Sequence, residues 1–131
     1  MKLTAAQLRA RARDVDLLVL DVDGVLTDGG LYYGPEGEAL KRFNVRDGHG
    51  LVLARAVGLR AAILTARRSR IVEVRGTELG LSPISQGNRD KARGFAELLE
   101  QAGVDAGRVA YVGDDVNDLP ALEAARLAAC P

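Results

Sequence analysis

The chain carries a single cysteine, Cys130, next to its C-terminus. One thiol allows neither a disulfide within the chain nor a thiolate metal site, and such sparing use of cysteine suits a reducing cytoplasm. An excess of charge of either sign is also missing, since 18 lysines and arginines stand against 18 aspartates and glutamates. A nucleic-acid partner therefore has no bulk electrostatic support. No apolar run approaches the roughly 20 residues that cross a bilayer. The N-terminal "MKLTAAQLRARARDVD" lacks the apolar core of a signal peptide and reads instead as a short helix, with Thr4 and Gln7 at capping-box spacing. No membrane partner is expected. Internal repeats, low-complexity segments and linkers long enough to divide the chain are absent too. What remains is ordinary globular composition, 47% hydrophobic and 27% charged. The expectation is one domain over residues 1–131 with one core.

Apolar runs and turn signals alternate along the chain. Asp16 to Leu20 reads as a strand buried on both faces. Gly29 to Phe43 differs: "LYYG" and "EALKRF" flank a Gly-Pro-Glu-Gly turn and suggest a projecting hairpin arm. Helical spacing over Asp47 to Val57 ends at Gly58. "LRAAILTA" is a second apolar strand closing on Thr65. Ser69 is placed to cap a helix running to Leu79, with Gly80 at its end. "LSPIS" is a weak third strand. Asn88 opens a helix to about Gln101, and "RVAYVGDD" is a fourth strand ending in two aspartates. Val116 to Ala125 reads as a short helix and "RLAAC" as a last strand. Strand and helix alternate, which predicts an α/β fold: a Rossmann-like three-layer α/β/α arrangement with a parallel sheet.

Ligands of such sheets sit at the carboxyl ends of the strands. There this sequence places Asp21 and Asp23, Thr65, and Asp114 and Asp115, with Lys91 near the start of the third helix. Crowded carboxylates repel: at an effective dielectric of 20, a like-charge pair 4 Å apart costs ~4 kcal/mol. Either some are protonated or a hard cation sits among them. All-oxygen ligation with few protein donors suits Mg²⁺, which shares its shell with water and phosphate oxygens. Asp21 and Asp114, ending neighbouring strands, are the best side-chain ligands. A metal, an ammonium and a hydroxyl around a carboxylate suggest phosphoryl transfer. A carboxylate can itself be the nucleophile, and Asp23, two residues on, could protonate the leaving alcohol and later activate water. The local basic groups Arg67, Arg68 and Arg70, and Arg89, Lys91 and Arg93, are consistent with a pocket for a phosphate ester.

"DVDGVLTDG", "ILTAR", Lys91 and "YVGDDVND" resemble, in their order, the four motifs of the haloacid dehalogenase-like phosphatases. "DGVLTDGGLYYGPEGEALKRFNVRDGHG" and "QGNRDK" resemble more narrowly the 3-deoxy-D-manno-octulosonate 8-phosphate (KDO 8-phosphate) phosphatases, and the resemblance runs from about Val15 to Ala129. It implies Asp21 as nucleophile and metal ligand, and Asp23 as general acid/base with its backbone carbonyl on the metal. Asp114 is the remaining protein ligand of Mg²⁺, and Thr65 and Lys91 hold the phosphoryl group. Substrate contacts fall on Asp23, on the stretch Asn44, Val45, Arg46, Asp47 and Gly48, on Arg67 and Arg75, and on Lys91. The implied substrate is a phosphorylated sugar acid, KDO 8-phosphate, whose product feeds lipopolysaccharide synthesis in the cytoplasm. The family lacks a cap domain and forms homotetramers in which one subunit's hairpin helps close a neighbour's site. Two features depart from its pattern. Val52 stands where many members carry a substrate-contacting arginine. Members also continue for several tens of residues, with a tail folding over an adjacent site, whereas the sequence given ends at Pro131. Lack of the tail is expected to weaken substrate capture more than chemistry, because no matched catalytic residue lies beyond Asp118.

Each residue also has a plainer reading. A DxD before glycine, standing alone, is as often a strand-to-turn end with solvated acids; the ordered company of the other motifs argues for a site. Asp28 reads equally as a turn residue or a neighbour of the substrate. Asp115 reads as a metal-site or structural acid, and Asp118 as an acid behind the ligands or a helix cap. His49, between glycines, is assigned no catalytic role. Arg68 and Arg70 read as a solvated face, Cys130 as a small packed residue, and Tyr32 and Tyr33 as hairpin or interface packing. Three rival functions follow. One is the same reaction on a nine-carbon keto-acid phosphate. Another is a non-catalytic assembly domain of the kind fused to sugar-nucleotide synthetases, against which the intact Asp21, Asp23, Lys91 and Asp114 argue. The third is a phospho-accepting receiver, which lacks an acid two residues after its acceptor aspartate.

Overall fold

Strand β1 (Leu17–Leu20) organises the fold from the middle of a sheet. The computed structural model describes residues 3–131. β1 pairs in parallel with β4 (Arg60–Leu64) on one side and β6 (Val109–Val112) on the other. β5 (Ile84–Ser85) and β7 (Leu127–Ala129) extend the sheet outward, giving the order β5-β4-β1-β6-β7, all parallel. Successive side chains of a strand point to opposite faces, so each central strand supplies both layers of the core. Leu17, Val19, Ala62, Leu64, Val109 and Tyr111 pack with Phe95 and Leu98 of helix α4 (Lys91–Ala102) and Ala121 of α5 (Leu119–Ala124). Leu20, Ala61 and Ile63 pack with Leu51 of α2 (Val45–Ala56) and with Val72 of α3 (Arg70–Glu78). This is the expected three-layer α/β/α sandwich with a parallel sheet. Helix α1 (Ala5–Arg13) has the predicted capping box of Thr4 and Gln7.

The arm expected over residues 29–43 is a separate two-stranded antiparallel ribbon, β2 (Tyr32–Gly34) and β3 (Gly37–Leu40). It turns over Pro35 and Glu36, with Gly37 at φ +110°, a conformation that glycine adopts without penalty.

Several local expectations are corrected. Helix α2 begins at Val45 because the Asn44 side chain accepts from the Arg46 N–H at 2.8 Å. Helix α4 begins at Lys91, capped by Asp90, and not at Asn88. Ser69 occupies the cap position of α3 but its side chain makes no capping bond; its hydroxyl donates to Glu38 instead. Residues Val116–Asp118 form a 3₁₀ turn before α5. Cys130 is exposed, not packed. The third strand is only two residues long.

Candidate active site

The register of the sheet creates the site. Leu20 lies opposite Ile63 on β4 and Val112 on β6, so the residues that follow all three strands emerge on one rim. Asp21 is tied to that rim by its N–H, which donates to the Val112 carbonyl at 3.0 Å. Asp21, Asp23, Thr65, Arg67, Asp114 and Asn117 line a cleft of about 320 Å³. Two glycines let the loops meet there. Gly24 has φ +86°, and a Cβ on it would lie 1.9 Å from Asp114 Oδ2; a Cβ on Gly113 would lie 2.5 Å from the Asp118 carboxyl carbon. Thr65 is 3% exposed, its backbone pinned between Ser85 and Asn88.

Lys91 approaches Asp21 from behind the cleft. Its ammonium is fully buried and donates to the Leu64 carbonyl (2.9 Å), the Tyr111 hydroxyl (3.1 Å) and Asp118 Oδ1 (2.8 Å), with Asp21 Oδ1 at 3.2 Å. The Tyr111 hydroxyl donates in turn to Asp118 Oδ1 at 2.6 Å. Asp118 Oδ2 accepts from the N–H groups of Asp114 and Asp115, both at 3.1 Å. Asp118 therefore holds both the lysine and the Asp114 loop, which supports the reading of an acid behind the ligands and not that of a side-chain helix cap. Burial opposes its charge, but Lys91, Tyr111 and the Asp115 N–H outweigh burial and keep it below the usual carboxylate range. Asp21 is pushed the other way, chiefly by burial, with Lys91 opposing and Asp118 adding repulsion. Asp114 is raised by burial and by Asp118. Burial drives the Tyr111 hydroxyl far up, with Asp118 adding to it.

The donor set fits a hard divalent cation. Oxygens of Asp21, Asp114 and Asp118 lie within 4.8 Å of one another. Both Asp118 oxygens already accept protein donors, which leaves Asp21 and Asp114 to face an ion. Asp21 and Asp114 are both raised, chiefly by burial, and the Asn117 Oδ1 beside them is buried with no partner among the described residues. Oxygen ligation of this kind matches Mg²⁺ chemistry.

Asp23 sits at the cleft's other lip, joined to residues that sequence reasoning did not single out. Lys41, just past β3, places its ammonium 2.5 Å from Asp23 Oδ1 and 2.8 Å from Glu38 Oε1. Glu38 accepts the Ser69 hydroxyl at 2.5 Å. Arg67 lies 3.8 Å from Asp23 Oδ2 and donates to the Tyr33 hydroxyl at 2.9 Å. Nothing local in the sequence marks Lys41, whose partner lies 18 residues away; Tyr111 sits inward in an alternating strand, where a polar hydroxyl was the only available signal.

Asn44, Val45, Arg46, Asp47, Gly48 and Arg75 do not line this cleft. Phe43, Asn44, Asp47, Gly48 and Arg75 border a small cavity between α2 and α3 instead. There Arg75 Nη1 pairs with Glu78 at 2.9 Å, while its Nε is buried without a partner. Val45, Arg46 and His49 are exposed on α2. Asp28 accepts from the Gly30 N–H at 2.9 Å and pairs with Arg42 at 3.0 Å, as a turn residue does. Arg68 and Arg70 are exposed.

A family model described as a haloacid dehalogenase-like hydrolase matches residues 45–126. The 3-deoxy-D-manno-octulosonate 8-phosphate phosphatase KdsC of Escherichia coli (strain B / BL21-DE3) is 45% identical over 119 residues, 91% of this chain and 63% of its own length. The chain thus spans less than two thirds of that relative. Among solved structures, the cobalt-bound deoxy-D-mannose-octulosonate 8-phosphate phosphatase from Haemophilus influenzae aligns with a TM-score of 0.88 at 39% identity, covering 92% of this chain and 70% of that one. The phosphatase from Moraxella catarrhalis in complex with magnesium, phosphate and KDO also gives 0.88, at 38% identity, covering 94% of this chain and 71% of that one.

Proposed function

We propose, for a chain that belongs to the haloacid dehalogenase-like hydrolases and within them to the KDO 8-phosphate phosphatases, that it hydrolyses the phosphomonoester of a keto-deoxy sugar acid, KDO 8-phosphate. The observation that carries this reading is Asp21: a carboxylate only 7% exposed, at the floor of a cleft, 3.2 Å from a fully buried ammonium. An Asp21 oxygen attacks phosphorus and the bond to the alcohol oxygen breaks. Asp23 gives its proton to that departing oxygen. The Asp23 carboxylate then takes a proton from water, whose oxygen attacks the phosphorus of the aspartyl phosphate. The bond from phosphorus to Asp21 breaks, inorganic phosphate leaves and both aspartates return to their starting state. Thr65 donates to a phosphoryl oxygen, and Lys91 holds positive charge against Asp21 and the transferring group. A Mg²⁺ held by Asp21, Asp114 and the Asp23 carbonyl supplies further neutralisation of the phosphoryl oxygens.

Arg67, at the cleft rim, is the nearest arginine for the sugar's carboxylate. Asn44 to Gly48 and Arg75 lie off the cleft of their own chain, so their substrate role is proposed across an interface between copies, in a homo-oligomer of four. A second reading of the substrate is a nine-carbon sugar acid phosphate, because the exposed Val52 stands where many KDO 8-phosphate phosphatases carry a substrate-contacting arginine. Among the described residues no helix is long and apolar enough to cross a membrane, and a cytoplasmic role is proposed. The test is phosphate release over a panel of sugar phosphates in Mg²⁺ and in EDTA. KDO 8-phosphate should be turned over fastest, and only with the metal. No release from any phosphomonoester would overturn the reading.

A further inference from the structure

We propose that Lys41 is a positioning residue for the reaction: its ammonium holds Asp23 Oδ1, turning Oδ2 to the cleft as the atom that exchanges the proton, and it ties that orientation to the docked hairpin. The inference rests on the phosphatase reading and deepens it.

The geometry is specific. Lys41 lies at the root of the arm, yet its side chain is 2% exposed. Lysines are rarely so covered unless paired, and Lys41 has two carboxylate partners, Asp23 Oδ1 at 2.5 Å and Glu38 Oε1 at 2.8 Å. Among the described residues, Oδ1 of Asp23 has no other donor. Its companion Oδ2 looks toward the cleft lip, with Arg67 Nε 3.8 Å away. One oxygen is held and the other is left for chemistry.

Asp23 stands on a turn outside the sheet, with its side chain 22% exposed, so nothing in the strand itself fixes its rotamer. Proton transfer to a leaving oxygen needs hydrogen-bond reach, and a misplacement of about 1 Å can cost roughly 10²-fold. Lys41 supplies the missing constraint. Glu38 extends it by accepting the Ser69 hydroxyl at 2.5 Å. That hydroxyl would otherwise cap α3, so the fold has given up a cap to tie the ribbon to the loop after β4. Lys41, Glu38 and Ser69 therefore link the ribbon, Asp23 and the loop that carries Arg67.

A lysine that only anchors the ribbon would affect every substrate alike. One that acts through Asp23 matters most where the leaving group needs a proton. The value of kcat/KM, which reports steps up to departure of that group, is therefore measured in Mg²⁺ on KDO 8-phosphate and on p-nitrophenyl phosphate, whose phenolate leaves without one. Lys41→Met should lose about 10- to 100-fold on the sugar phosphate and under about 3-fold on the aryl ester. Lys41→Arg, which keeps the charge, should recover the sugar phosphate rate to within about 5-fold of wild type. Should Lys41→Met fail a thermal-melt check of folding, the same ratio is read on Lys41→Gln. Parallel losses on both substrates would overturn the role of Lys41 and leave the phosphatase reading standing. A wild type that hydrolyses neither ester would overturn both.

Discussion

At Gly24 the absence of a side chain decides whether the two halves of the site meet. A Cβ there would lie 1.9 Å from Asp114 Oδ2, and the backbone is at φ +86° besides. Gly24→Ala is expected to cost about 1–3 kcal/mol from strain alone and to displace Asp114. Urea unfolding should give that loss, and the Mg²⁺ concentration for half-maximal activity should rise. A variant with unchanged metal dependence would mean that Asp114 does not face the ion. Asp21 behaves oppositely. Its carboxyl is raised mainly by burial, so its charge is a net burden on the folded state without a cation. Asp21→Asn should cut turnover by at least about 10³-fold while its melting temperature in EDTA at neutral pH holds or rises. Retained turnover would exclude Asp21 as nucleophile.

At the scale of elements, the buried chain from α4 to β6 sets where Asp21, the proposed nucleophile, stands. Tyr111 of β6 shares one hydroxyl between Lys91 and Asp118. Tyr111→Phe removes a donor to the buried Asp118 Oδ1 and one of the acceptors around the Lys91 ammonium and should cost about 1–3 kcal/mol in denaturant unfolding; no loss would mean that the hydroxyl is dispensable to the network. The ribbon makes a pH-dependent contact of its own. Burial opposes the charge of Glu38, but Lys41 and Ser69 outweigh it and hold its carboxyl below the usual value of 4.5. A carboxyl lowered by folding contributes stability above its unfolded pKa and loses it as pH falls through the folded one. Wild type should therefore melt higher than Glu38→Gln at pH 7, with the gap closing as pH drops below about 4.5; a gap that stays constant would place Glu38 outside the pairing. These elements also mark how far the sequence could be read. The three central strands were legible because their apolar runs are largely buried, and Asp21, Thr65 and Asp114 because each stands within two residues of such a run's end. Ser69 holds the cap position of α3 without bonding there, for a tertiary reason, and the cap of α4 lies at Asp90, two residues past Asn88, for a local one. Glu38, 31 residues upstream, takes the serine hydroxyl, and Asp90 offers a better-placed carboxylate to Arg93 N–H. Lys41 and Tyr111 escaped because the partners that tie them to the cleft, Asp23 and Lys91, lie 18 and 20 residues away, which no local spacing reports.

At the scale of the whole molecule, the ribbon leaves large apolar side chains exposed. Leu31, Tyr33 and Leu40 are 53%, 61% and 65% exposed, and an isolated two-stranded hairpin is marginal in water. Clustered exposed apolar groups on a projecting arm mark an interaction surface, and with equal numbers of acidic and basic residues no net repulsion keeps copies apart. The proposed homo-oligomer would bring a neighbour to the cleft that Leu31 borders beside Asp21. Light scattering should give a multiple of the chain mass, and Leu40→Glu should lower it toward one chain. The proposed site of a separated chain stays together, because Asp21, Lys91, Asp114 and Asp118 all belong to one sheet rim and the helix behind it. Hydrolysis of p-nitrophenyl phosphate by Leu40→Glu should therefore fall by less than about 3-fold, while KM for the sugar phosphate rises about 10-fold or more, since only the larger substrate reaches the neighbour's arm. A wild type that scatters as a single chain, with the same sugar-phosphate KM as the variant, would restrict the ribbon's role to the contacts that Lys41 and Glu38 make within their own subunit.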